Sequence, residues 1–195
     1  MTEFDHTRQT LIERIRDQYN EPAWEEFARI YESYIYAIIR RMGISAEDSK
    51  DIHQDIMLNI WKKLPEYRKK PDTRFRGWLS TITSNSVKYF LRSKANLNKK
   101  HDNFGLDQND ETAASALEKI ANEEWEIFLT NKALENVESA FSGKGIDVFK
   151  KSLEGKSIPD IAKEMNIEES SVYQLRARVK RSLIKEVNRL REVLD

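Results

Sequence analysis

Apolar residues recur three and four positions apart along almost the whole chain, which is the period of an α-helix, and no strand alternation competes with it. Leu11, Ile15 and Tyr19 mark a short first helix. Asn20-Glu21-Pro22 reads as the next helix start, since proline suits a first turn whose backbone N–H groups have no partner anyway. Trp24, Phe27, Tyr31, Tyr34, Ile35 and Ile38 then form a wide apolar face that ends at Gly43. Ser45-Ala46-Glu47-Asp48 opens a third helix in the manner of a capping box, running through Ile52, Ile56, Ile60 and Leu64 to Pro65. A basic loop bracketed by Pro65 and Pro71 leads to a fourth helix over about Phe75 to Lys94.

After Lys94 the composition shifts. Ala95 to Thr112 holds four Asn, three Asp and a Gly with little apolar period, as a linker does. Helical spacing resumes near Ala113 through Leu117, Ile120, Trp125, Phe128 and Leu134, and segments Ile146–Leu153, Ser157–Met165 and Glu169–Val193 follow Gly143 and Gly145. The expected fold is all-α: two small helical domains, residues 1–95 and 125–195, joined by a flexible acidic linker over 96–124.

Composition narrows the function classes. The absence of cysteine excludes disulfides and thiolate metal or redox sites, and three scattered histidines make no metal site, so neither metal nor cofactor is expected. No apolar run approaches the roughly 20 residues of a membrane span, and residues 1–20 are charged and amphipathic rather than signal-like, so a cytoplasmic location without membrane contact is expected. The 33 Lys+Arg balance 33 Asp+Glu, which argues against a uniformly basic nucleic-acid binder. The zero total is nevertheless a sum of blocks: net +10 over residues 62–100, −8 over 101–140 and +6 over 170–191.

The last of these blocks carries the most chemical content. Residues 153–172 have the grammar of a helix-turn-helix: an N-cap Ser157, inward Ile161 and Ala162, a turn at Asn166, Ile167 returned to the core, and a new helix near Ser170 with Val172 buried. That helix presents Gln174, Arg176, Arg178, Lys180, Arg181 and Lys185, with Val172, Leu175, Val179, Leu183, Val187 and Leu190 on its other face. Its first residues suit base edges in a duplex groove and the later cations suit phosphates. In the first half, Thr81, Ser84, Asn85, Lys88 and Arg92 share one face of the fourth helix, a mixture of hydroxyl, amide and cationic groups that matches single-stranded nucleic acid. Trp78, Tyr89 and Phe90 offer rings for stacking on unpaired bases.

In combination these segments resemble the extracytoplasmic-function (ECF) group of bacterial RNA polymerase sigma factors. Asp48 to Trp61 is similar to the family's region 2.2 signature, Phe75 to Arg92 to its promoter-melting and minus-ten-reading segment, and the helix-turn-helix to its minus-thirty-five-reading domain. The resemblance covers roughly residues 22–95 and 125–190 in the family's order. It implies a transcription-initiation subunit, not an enzyme, whose partners are core RNA polymerase, through the clamp helices of the largest subunit and the flap, and promoter DNA. Carried onto matching positions, Asp51, Gln54, Asp55 and Leu58 bind core; Trp78, Thr81, Asn85, Lys88 and Arg92 hold the minus-ten strand; and Ser171, Gln174, Arg176, Arg178 and Arg181 face the minus-thirty-five duplex. The segment Ser93–Asn98, a base-capturing loop in the family, departs from the pattern, as do Tyr173 and Gln174. The acidic connector mimics nucleic acid near the polymerase active site, is a solvated spacer, or folds back on the basic surfaces in the free protein. Few residues follow the recognition helix, so regulation by a partner such as an anti-sigma factor is expected.

Two other readings compete. A two-domain helix-turn-helix regulator that recruits no polymerase leaves the Asp51-Gln54-Asp55 face and the fourth helix unexplained. A metal-dependent nuclease would gather His53 with Asp48, Asp51 and Asp55, but His53 lies elsewhere around the helix and no companion carboxylate-rich site exists.

Overall fold

A computed structural model describes residues 7–68, 74–99, 110–141 and 143–194. Eight α-helices account for nearly all of them: α1 (Thr7–Arg14), α2 (Glu21–Arg41), α3 (Ala46–Lys63), α4 (Phe75–Lys99), α5 (Asp110–Ala140), α6 (Gly145–Leu153), α7 (Ile158–Met165) and α8 (Glu169–Leu194). A single 3-10 turn, Leu64–Glu66, follows α3, and no strand occurs among the described residues. The all-α class therefore stands. The chain divides into two compact units, one of residues 1–126 with 193–195 and the other of 127–192.

In the first unit α2, α3 and α4 pack on one another. Asn20 caps α2 by accepting from the Ala23 N–H at 3.2 Å, and the helix buries Phe27, Ile30, Tyr31, Tyr34, Ile35, Ile38 and Ile39. That spacing of three and four lays one continuous stripe against Ile52, Ile56 and Ile60 of α3 and Leu79 and Ile82 of α4. Phe27, Tyr31, Tyr67, Phe75 and Trp78 form an aromatic cluster at the start of α4, with centroids 4.9–6.1 Å apart. Tyr19, expected on the apolar face of the first helix, is instead 86% exposed. Helix α1 stops at Arg14, and the Asp17 carboxylate turns the chain by accepting from the Tyr19 N–H at 3.1 Å. The turn is tied to α3 twice, because the Gln18 amide donates to the Trp61 carbonyl at 2.9 Å and the Trp61 indole donates to the Gln18 carbonyl at 3.1 Å.

Parts of the segment expected as a linker over 96–124 are helical. Helix α4 continues to Lys99, so the loop expected over Ser93–Asn98 is helical, and α5 is already helical at Asp110. The residues between those two helices lie outside the described ones. Leu117, Ala121 and Trp125, four apart on one side of α5, are buried within the first unit. The Tyr34 hydroxyl donates to the Ala121 carbonyl at 3.2 Å, and the Tyr34 ring meets Trp125 edge-on at 5.1 Å. Arg41 pairs with Glu124 at 2.8 Å and Glu123 at 2.6 Å. An i, i+4, i+8 apolar stripe needs a hydrophobic partner, and Tyr34 of α2 supplies one for the helix expected from Ala113.

The second unit holds two small apolar clusters, one of Val137, Ile146, Phe149 and Val179, the other of Val148, Ile161, Ala162 and Val172. Ser157 caps α7, its hydroxyl accepting from the Asp160 N–H at 3.3 Å. Asn166 ends α7 in the left-handed conformation, φ 49°, which lets the Ile167 N–H reach back to the Ala162 carbonyl at 3.0 Å. Asparagine tolerates that region better than most residues, and the reversal sets α8 across α7.

Candidate functional site

Three helical faces carry the residues singled out from the sequence. On α3, Asp51, Gln54, Asp55 and Leu58 are all exposed and lie within one third of the helix circumference, while Ile52, Ile56 and Ile60 are buried on the other side. Leu58 leaves 46% of its surface open, an apolar centre flanked by two carboxylates and an amide. Asp55 and Leu58 also edge a groove of about 590 Å³ between α3 and α4, which Lys62, Asn85, Tyr89 and Phe90 line as well. The Asn59 amide bridges the two helices to the Ser86 hydroxyl at 3.1 Å. At the far end Lys94 pairs with Asp48 at 2.8 Å, and this bond, followed by that from the Ser45 hydroxyl, holds the Asp48 carboxyl below its ordinary range.

His53 is not part of the acidic face. Its ring stacks on Tyr36 at 4.4 Å with 9° between planes, and its Nε2 is buried without a hydrogen-bond partner. Burial pushes its pKa down, against a weaker upward pull from Glu32. Among the described residues no group of three histidine, aspartate or glutamate side chains is placed to hold a metal ion.

On α4, Trp78, Thr81, Asn85, Lys88 and Arg92 follow one another at steps of three and four and so share a face. The structure brings the first four together as the lining of a cleft of about 1020 Å³. Trp78 is not a free stacking platform: it is half-buried, with its ring 5.0 Å from Tyr67 and 5.3 Å from Phe75. Its indole belongs to the aromatic core as well as lining the cleft. Thr81 satisfies its hydroxyl on the Gly77 carbonyl at 2.7 Å, leaving oxygen lone-pair capacity toward solvent. Tyr89, in contrast, is 77% exposed and is the ring available for stacking. Two further lining residues, Glu118 and Asn122, come from α5 and escaped the sequence reading. Their signal is present in the chain, because each lies one residue after a member of the Leu117, Ala121, Trp125 stripe.

On α8, Gln174, Arg178 and Arg181 are exposed on one face, with Ser171 half-buried at its start. Arg176 is exposed too, but it is two residues beyond Gln174 and so about 200° round the helix, on the opposite flank. The structure does not bring it to the others. Arg178 lies over the Phe141 ring at 5.3 Å, which steadies its guanidinium. The two helices before α8 are stapled by Glu164, which pairs with both Lys151 and Lys156; these bonds hold its carboxyl down at about 2.

Residues 27–96 match the sigma-70 region 2 family. No curated protein matches the chain. Among solved structures, a chain from the structure of CnrH in complex with the cytosolic domain of CnrY aligns over 93% of this chain and 97% of that one, at 19% identity and a TM-score of 0.38. No helix among the described residues is long and apolar enough to cross a membrane.

Proposed function

We propose, from the match of residues 27–96 to the sigma-70 region 2 family, that the chain is an ECF-type sigma factor that recruits core RNA polymerase to promoters. In this reading α3 docks on the clamp helices of the polymerase through Asp51, Gln54, Asp55 and Leu58. The polar face of α4 takes the unwound minus-ten strand, and α8 reads the minus-thirty-five duplex through Ser171, Gln174, Arg178 and Arg181, with the flap as the further polymerase contact of this unit. The chain contributes binding energy only, and bond formation belongs to the polymerase.

The observation that carries the proposal is the place of the region 2 match, which spans the helices presenting both exposed faces. A core-binding helix needs an exposed polar face with a desolvatable apolar centre, and Leu58 between Asp51, Gln54 and Asp55 has that form. A strand-holding helix needs cations, hydroxyls and amides on one side, which the Thr81, Asn85, Lys88 and Arg92 face provides. An anti-sigma factor competing for the exposed α3 face is the regulatory partner this reading calls for.

The test is reconstitution with purified core polymerase. The chain is expected to bind core and to start transcripts from a subset of genomic promoter fragments, with Asp55→Lys weakening core binding at least tenfold. If it binds duplex DNA but neither binds core nor supports initiation, the helix-turn-helix regulator reading replaces this one.

A further inference from the structure

The cleft beside α4 has two walls of different chemistry, and Glu66, Tyr67 and Arg68, which precede α4 in the sequence, line it as well. One wall carries Arg74, Arg76 and Lys88 with the hydroxyls of Thr81 and Ser84 and the amide of Asn85. The other is the exposed side of α5, where Glu118 and Asn122 line the same cleft one helical turn apart. The second wall is held in place from behind: Leu117, Ala121 and Trp125 are at most 7% exposed, Arg76 lies over the Trp125 ring at 5.7 Å, and Arg41 anchors Glu123 and Glu124. Both walls lie within the first unit.

We propose that α5 completes the single-strand site, with Glu118 and Asn122 reading the edge of an unpaired base whose phosphates rest on the α4 wall. The inference rests on the proposed minus-ten role of α4. The division follows from charge. Phosphates are driven toward the cations and away from the carboxylate, so a strand entering the cleft turns its bases toward Glu118. A carboxylate accepts hydrogen bonds and donates none, so it rewards the exocyclic amino groups of adenine and cytosine and opposes the carbonyl oxygen that thymine presents there. Asn122 carries both a donor and an acceptor, which suits the ring nitrogen and amino pair of adenine or cytosine. The cleft thus favours amino-bearing bases, and its selectivity resides on a helix outside the region 2 match.

Fluorescence anisotropy of the full chain with short labelled dA, dC and dT oligonucleotides tests this. The wild-type chain is expected to bind the dA and dC strands about fivefold or more tighter than dT, the discrimination a good base-edge contact supplies. Glu118→Gln should shrink that ratio, because the new amide can donate to thymine, whereas Lys88→Ala should weaken all three strands alike. An equal gain for every strand with Glu118→Gln would mean that the carboxylate only repels the backbone, and would overturn the inference. So would an unchanged ratio, or absence of any single-strand binding. The core-polymerase reconstitution decides the proposed function separately, so a failed base preference leaves that reading standing.

Discussion

The two units reach a fixed binding surface by opposite means. In the first, the presenting helices are long and are held by large buried side chains, Phe27, Tyr31 and Tyr34 from α2 against isoleucines of α3 and leucine and isoleucine of α4. Its surface is the outside of a well-filled core. In the second, the presenting helix α8 is as long, but α6 and α7, which hold it, are only nine and eight residues long and the apolar clusters are small, so local devices bear more of the task. These are the Ser157 cap, the left-handed Asn166 and the Glu164 staple. Short helices are marginal alone, and their ends decide them. The first unit should therefore break by cavities and the second by changes at helix ends.

Phe27→Ala is the sharpest way to break the first half of that comparison. Phe27 is fully buried and its ring touches Trp24, Tyr31 and Phe75. Removing it should cost about 3–5 kcal/mol, with hydrogen exchange rising across α2 to α4 and that of α7 and α8 unchanged. For the second unit the corresponding change is at one backbone position. Asn166→Val places a β-branched residue at φ 49° and should cost about 1–2 kcal/mol, while Asn166→Gly should be nearly neutral. Ser157→Ala follows with a loss of about 1 kcal/mol from the missing cap. Both are read from amide exchange in α7, and equal damage from Asn166→Gly would show that the side chain, not the dihedral, is what matters.

The same contrast explains which features the sequence revealed. Caps and turns are local, so Ser45, Ser157 and Asn166 could be assigned from a few neighbours, and the helical period of α2 and α3 placed their buried stripes. What depends on a distant partner was hidden. Leu117, Ala121 and Trp125 have the right spacing for a core helix, but nothing in the spacing says that the partner is α2, and the acidic composition around them reads as spacer. Glu118 and Asn122 stayed invisible for the same reason. Charge counting grouped Arg176 with Arg178 and Arg181, although helical angle separates it from them. Trp78 has the spacing of a base-stacking ring, but its packing partner Tyr67 lies in the preceding Pro65–Pro71 segment, which carries no helical period to place it.

Acid offers the gentlest probe of the difference, because the titrating groups of the two units lose their advantage in different windows. His53 has its pKa pulled below 6.5 by burial, so the neutral ring stabilises the first unit above that pH and the contribution fades as pH falls through the lowered value. Asp48, held below 3.8 chiefly by Lys94, adds a second loss in the same unit only at lower pH. Glu164 is lowered from 4.5 to about 2, so its staple supports the second unit fully above about 4.5 and is lost between there and about 2. All four tryptophans lie at or before Trp125, which makes indole fluorescence a report on the first unit, while methyl resonances of Val172 and Val179 follow the second. In a urea titration repeated at descending pH, the tryptophan midpoint should begin to fall below 6.5 and the methyl midpoint only below about 4.5. His53→Phe should abolish the first decline, since phenylalanine keeps the stack on Tyr36 and has nothing to protonate. If both midpoints fall together, the units are coupled more tightly than their separate cores imply, and the division of labour between packing and helix ends fails with it.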